Sequence, residues 1–274
     1  MKNILNIIVL VGLLFYSSGA SSQRFTVAVV PQMQTIQIQK KWGPFLKELS
    51  QRTGYEFELR HYATIPLFEN ALEDGVPDIA FMNPYHAVMA YEWQKYRPII
   101  HDQKSLVGIL VVKKNGIIHK LSDLNGMQIA FPAPNAFAAS LYMRALLEQE
   151  EGLSFTPVYL KTHTNVYRNV MFGQMPAGGG VNNTLIREDD TVRSHLNIFY
   201  TTKPSAPHPL CVHPRMTKKE IEKIENAIFD LSKEGTYKDL LDDIQIPIPV
   251  RADYIKEYAP LKKLKLEKYI INED

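Results

Sequence analysis

Gly75-Val76-Pro77-Asp78-Ile79-Ala80-Phe81-Met82-Asn83-Pro84-Tyr85-His86 contains a complete strand-to-helix junction in twelve residues. Asp78 to Met82 is a short apolar run without polar alternation, which suits a strand covered on both faces. Pro84 then opens a helix that reads on to Trp93. Proline is tolerated in a first helical turn because its missing N–H has no intrahelical partner there. A buried strand running straight into a helix is the repeating unit of an α/β sheet.

The same unit recurs upstream. Phe25 to Val30 is a continuous apolar, β-branched run that ends at Pro31. Ile38, Trp42, Phe45, Leu46 and Leu49 follow at i, i+4, i+7, i+8 and i+11, one stripe of a helix. Gly54 supplies the stop. Tyr55 to Tyr62 reads as a strand, and Pro66 to Leu72 as a short helix closed by Gly75.

Downstream, Leu106 to Val112 is a long apolar strand ending in the charged turn Lys113-Lys114-Asn115-Gly116. A passage between two halves is expected near residues 100–112. A second series follows: strand Met127 to Phe131, a helix from about Asn135 to Glu150, strand Phe155 to Leu160, a helix from about Asn165 to Phe172, and strand Leu196 to Tyr200. Leu210 to Val212 is a further strand. The helix after it opens on a capping box, Thr217-x-x-Glu220, and carries the stripe Ile221, Ile224, Ile228, Leu231. Pro247, Pro249 and Pro260 break the tail into short pieces. The expected fold is α/β and two-lobed, with mixed, mostly parallel sheets joined by two hinge crossings. One lobe takes residues 23–105 plus 203–274 and the other residues 106–202.

Residues 1–22 read as a cleavable signal peptide. Lys2 is the positive n-region, Ile4 to Phe15 the apolar core, and Ser17 to Ser22 the small-residue zone, with cleavage after Ala20 or Ser22. The core is shorter than the roughly 20 residues that span a bilayer. No cysteine lies near the cleavage zone to carry a lipid, so a periplasmic protein that is not a lipoprotein is expected. The single cysteine, Cys211, lies in an apolar strand and reads as a core residue rather than a nucleophile. The formal net charge is +2. That balance gives no basic face for nucleic acid. The one basic cluster, Lys262, Lys263, Lys265 and Lys268, reads as a solvated face.

Enzyme motifs fail in turn. There is no Gly-x-x-x-x-Gly-Lys-Ser/Thr loop, no Gly-x-Ser-x-Gly elbow and no zinc-protease histidine pair. Gly178-Gly179-Gly180 lacks the spacing of a dinucleotide loop. His208 and His213, five apart along a strand, point to opposite faces, so no metal is expected, and no cofactor. What remains is a set of polar and aromatic residues after strand ends, where ligands of open α/β sheets bind. Gln32, Tyr62, Asn83 with Tyr85, Asn135 with Ala136 and Phe137, His163 and His208 are the candidates. Each also has a structural reading. Tyr85 can be a core aromatic, His163 a helix cap, Asn135 and Asn165 N-caps, and Asn83 a turn residue. Helix N-termini at such loops favour anionic groups.

At these loops the chain resembles the phosphate/phosphite/phosphonate-binding proteins of ABC importers, the PhnD-like group. The resemblance rests on Val30-Pro31-Gln32, Trp42-Gly43-Pro44-Phe45-Leu46, the opening stretch Gly75 to His86, Val107 to Val112, Leu121 to Gly126, Phe131-Pro132-Ala133-Pro134 and His208 to Pro214. It implies a type II periplasmic-binding fold closing on a small anionic ligand, with an ABC permease as partner and no catalysis. A monomer is expected. The same fold reporting to a membrane sensor kinase is the alternative. It also implies that Tyr62 and Tyr85 are cleft tyrosines and His163 the histidine facing them. Phosphonate binders of the group carry Ser-Thr-Ser where this chain has Ala136, Phe137 and Ala138. The acidic residue expected after Gly173 is missing around Pro176. These departures imply a ligand that is smaller or less charged than a phosphonate, or organic with an apolar part against Phe137.

Overall fold

The computed structural model describes residues 22–271. The signal-peptide reading falls on residues 1–22 and, Ser22 apart, lies outside them. Among the described residues no helix is long and apolar enough to cross a membrane.

The chain builds two mixed sheets. The first contains β1 (Arg24–Val29), β2 (Glu56–Arg60), β3 (Ile79–Phe81), β4 (Arg97–Asp102), β10 (Pro209–Val212) and β11 (Pro249–Arg251), in the order β11-β4-β10-β3-β1-β2. The second contains β5 (Gly108–Lys113), β6 (Gln128–Phe131), β7 (Thr156–Tyr159), β8 (Ala177–Val181) and β9 (Leu196–Thr201), in the order β7-β6-β8-β5-β9. The chain passes from one to the other between β4 and β5 and returns between β9 and β10. The two connectors pair with each other. Leu106 N–H donates to Ser205 O at 2.9 Å and Ser205 N–H to Leu106 O at 3.0 Å. An α/β fold with two mixed sheets is therefore observed as expected, but parallel pairing does not predominate. Four pairings are parallel and five antiparallel. The strands flanking the two connectors, β4, β5, β9 and β10, make only antiparallel pairs, and only the uninterrupted strand-helix-strand units pair in parallel.

The helices follow from the apolar stripes. In α1 (Thr35–Thr53) every residue of the Ile38 to Leu49 stripe is buried, and Gly54 closes the helix in the left-handed conformation. Helices α2 (Ile65–Glu73) and α3 (Pro84–Gln94) pack on each other. In the second half, α4 (Tyr142–Gln149) is entered through a π-helical turn, Phe137–Leu141. Next come α5 (His163–Met171), α6 (Asn182–Ile186) and α7 (Asp190–Ser194). After β10, α8 (Lys218–Lys233) and α9 (Lys238–Asp243) pack against α1. The Thr217–Glu220 capping box of α8 is present in both directions.

Two helix starts differ from expectation. The helix placed at about Asn135 begins at Phe137, because the Asn135 side chain is engaged elsewhere. The helix placed at about Asn165 begins at His163, because Thr162 is the cap and accepts from Asn165 N–H at 3.2 Å. Gly178-Gly179-Gly180 is the centre of β8, not a loop. A Cβ on Gly179 would collide with the Ala139 carbonyl and the Phe131 ring, and one on Gly180 with Tyr167. The glycines let α5 and the π-helical turn approach the sheet. Cys211 is fully buried, and burial pushes its thiol pKa up.

Candidate functional site

The carboxyl ends of β3 and β6 bring residues 83–85 against residues 135–137. Asn83 caps α3, its side chain accepting from His86 N–H at 2.8 Å. The Asn83 Nδ2 donates to the Asn135 carbonyl at 3.2 Å. Tyr85 and Phe137 are both buried, with ring planes 5° apart and centroids at 6.5 Å. Phe137 continues the stack onto Tyr142 at 5.9 Å. Burial raises the Tyr85 phenol above its usual range, and the Glu267 carboxylate adds to that. Ala136 is buried beside them. No side-chain hydroxyl is present in Asn135-Ala136-Phe137-Ala138 to meet an oxyanion.

Asn135 caps no helix. Its Nδ2 donates to Glu69 Oε2 at 3.0 Å and to Ile271 O at 3.0 Å, and its Oδ1 accepts from Ile271 N–H at 3.0 Å. Glu69 also bonds His86 Nε2 at 2.8 Å. Sequence reasoning did not single out Glu69 or His86. Glu69 looks like the polar position of an amphipathic helix, yet it is only 7% exposed. A buried carboxyl group, already engaged by His86 and Asn135, stands at this contact.

The other candidates lie nearby. Gln32 Nε2 is 2.6 Å from His208 Nε2, with the amide as donor and a neutral imidazole accepting. Burial lowers the His208 pKa to about 3, with small contributions from His86 and His163. His163 is buried, its pKa lowered by desolvation to about 4, and its Nδ1 has no hydrogen-bond partner. It stands in the first turn of α5 and does not cap it. Tyr62 is half-buried against the Phe68 edge.

A cavity of about 540 Å³ opens between the halves. Gln32, Met33, Gln37 and Lys41 line it from the first, and Thr162 to Asn165, Arg168, Arg187 and Glu188 from the second. A second cavity, of 320 Å³, lies at the connectors and is lined by Lys104, Asn183 and His208 among others. The Asn183 Oδ1 is buried without a partner. Asn182 and Asn183 stand at the carboxyl end of β8, the end that faces the first half. Gly173 and Pro176 lie at the opposite end, around a separate surface cavity with Lys113. Because β8 runs parallel to β6, its cleft-facing end follows Val181. Among the described residues no group of three or more His, Cys, Asp or Glu side chains is placed to hold a metal ion.

Two packed α/β halves, paired connectors and a cavity between them define a two-lobed binding protein of the type II periplasmic class. Residues 27–258 match the model of the ABC transporter phosphonate periplasmic substrate-binding proteins, and the chain belongs to that family. Among solved structures it is similar to PhnD1 of Prochlorococcus marinus in complex with methylphosphonate, at a TM-score of 0.78 and 16% identity over 90% of this chain and 99% of that one. It is also similar to a binding protein component of an ABC phosphonate transporter from Pseudomonas aeruginosa, at 0.77 and 15% over 89% and 86%. A Xanthomonas citri protein bound to ATP aligns at 0.75 and 12% over 91% and 100%. At these identities the likeness is one of fold. No curated protein matches the chain.

Proposed function

We propose that this chain is the periplasmic solute receptor of an ABC importer, closing on a small organic solute that is less charged than a phosphonate and handing it to a permease. Membership of the substrate-binding family supports the receptor role. The observation that carries the ligand class is the contact between the halves. Where a dianion would need donors, Phe137 stacks on Tyr85 and the Glu69 carboxyl stands against Asn135. Hydrogen bonds to a charged group are worth roughly 1.5–3 kcal/mol each, so a seat without hydroxyls holds a dianion poorly. The solute is placed in the cavity beside Gln32 and His163, with Tyr62, Asn83, Tyr85, Asn135, Ala136, Phe137 and His208 forming or supporting its walls. The lobes in this reading are residues 23–105 plus 203–274 and residues 106–202.

A thermal-shift screen of the purified protein against phosphonates, sulfonates, inorganic oxyanions and small organic acids tests this reading. A ligand at about 100 times its Kd stabilises by about 2.7 kcal/mol, enough to register. The expected hits are organic, weakly charged solutes. Tight calorimetric binding of methylphosphonate would overturn the ligand class and leave the receptor role intact.

A further inference from the structure

The family match ends at residue 258, and the thirteen described residues beyond it run onto the second half. The segment starts from the first half. Tyr254 stacks on Tyr91 at 3.9 Å, Tyr258 donates to Pro207 O at 3.0 Å, and Lys262 pairs with Glu92. It then crosses. Leu266 and Tyr269 are buried with Phe137, Tyr142 and Leu146. Arg144 Nη2 donates to Tyr269 O at 2.7 Å and to Pro134 O at 2.8 Å. Ile271 makes its two backbone hydrogen bonds to the Asn135 side chain.

These contacts converge on one turn. Asn135 and Phe137 are held from the tail side, the Pro134 carbonyl shares the Arg144 guanidinium with the tail's Tyr269 carbonyl, and Asn83, Glu69 and Tyr85 hold the same turn from the first half. Arg144 is a buried cation with no carboxylate within salt-bridge distance among the described residues, so its carbonyl partners stand in for a counter-charge. Undocking the tail removes one of them, and a buried donor left unpaired is costly. The docked tail is thus favoured by apolar burial and by the guanidinium together.

We infer that residues 259–271 are a positioning strap of the ligand site: they hold the 134–137 turn on the first half at the Tyr85–Phe137 contact and so set how readily the cleft opens. The strap concerns opening without added ligand and stands apart from which solute is bound.

Spin labels at Lys40→Cys on α1 and Arg168→Cys on α5 report the distance across the cleft mouth by pulsed electron resonance. Cys211 is buried and spared by the label. In the full chain without added ligand, one short-distance population is expected. Leu266→Glu, which puts a charge into the strap's buried anchor, and Ile271→Pro, which removes one donor to Asn135, should each bring in a longer-distance population. Leu266→Met should keep the parent distribution. If Leu266→Glu does not fold, Ile271→Pro carries the test by itself. Folded variants with the parent's distribution, or a parent that is itself broadly distributed, would overturn the strap.

Discussion

Tyr85 lies in the first turn of α3 in the first half, Phe137 opens the π-helical turn in the second, and their rings lie parallel with centroids 6.5 Å apart. The contact sits where the carboxyl ends of β3 and β6 meet, the place at which an open α/β sheet binds its ligand. An aromatic pair there does two things. It buries apolar surface between the halves, and, in the proposed reading, it stands where the phosphonate binders that the chain resembles carry hydroxyl donors.

Restoring those donors should restore the ligand. The triple variant Ala136→Ser, Phe137→Thr, Ala138→Ser removes the ring and supplies three hydroxyls at the turn. Isothermal calorimetry should then show methylphosphonate binding that the parent lacks. A tenfold change in Kd corresponds to about 1.4 kcal/mol, less than one good hydrogen bond to a charged oxygen. A triple variant that folds and still ignores methylphosphonate would shift the exclusion onto Glu69.

Glu69 makes the second expectation. Its carboxyl bonds both His86 and Asn135 and is almost wholly buried. Glu69→Ala strips two buried partners at once and leaves a void, and should cost about 3–5 kcal/mol, the range for breaking one side of a buried pair. Glu69→Gln retains one acceptor oxygen and should cost less than Glu69→Ala. Urea unfolding of the two variants checks the order.

The division between what the residues disclosed and what they concealed follows range. The α1 stripe, the Gly54 stop and the Thr217–Glu220 box are local patterns, decided by residues within a turn or two, and all appear as read. Glu69 was not legible because its partner Asn135 lies 66 residues away. Periodicity placed it on a helix and could not say what would cover that face. The reading of Asn135 as a helix cap failed for the same reason. Its cap-forming side chain is taken by Ile271, 136 residues on. Strand direction in the second half is not local either, since which end of β8 faces the cleft depends on its pairing with β6. The tail's lysines did prove solvated, while the leucines between them pack on the second half.

The glycine run of β8 yields a third expectation. A methyl on Gly179 meets a backbone carbonyl, at Ala139, which cannot move aside as a flexible side chain would. Gly179→Ala should therefore destabilise by the 1–3 kcal/mol typical of overpacking, or more. Gly235→Ala meets nothing within contact distance and should be close to neutral. Thermal melts of the two variants separate close packing in β8 from a general cost of losing glycine.

His163 and His208 give the protein a defined response to acid. Desolvation holds their pKa values at about 4 and about 3 in the folded chain, against about 6.5 for an unfolded histidine. Between those values the unfolded state binds the extra protons, so stability falls as pH drops through about 6.5 towards 4. Each histidine contributes a slope of up to about 1.4 kcal/mol per pH unit in that window. Above about pH 7 both are neutral in either state and the slope vanishes. His163→Gln should flatten the descent, leaving the part due to His208, and chemical denaturation at pH 7.5, 6.0 and 5.0 reads the difference, those values being chosen to bracket roughly the unfolded pKa. The same variant keeps a hydrogen-bonding group at the cavity wall beside Gln32. If it lowers ligand affinity at pH 7.5, where protonation plays no part, the imidazole itself contacts the solute. Unchanged affinity would move the solute away from the first turn of α5.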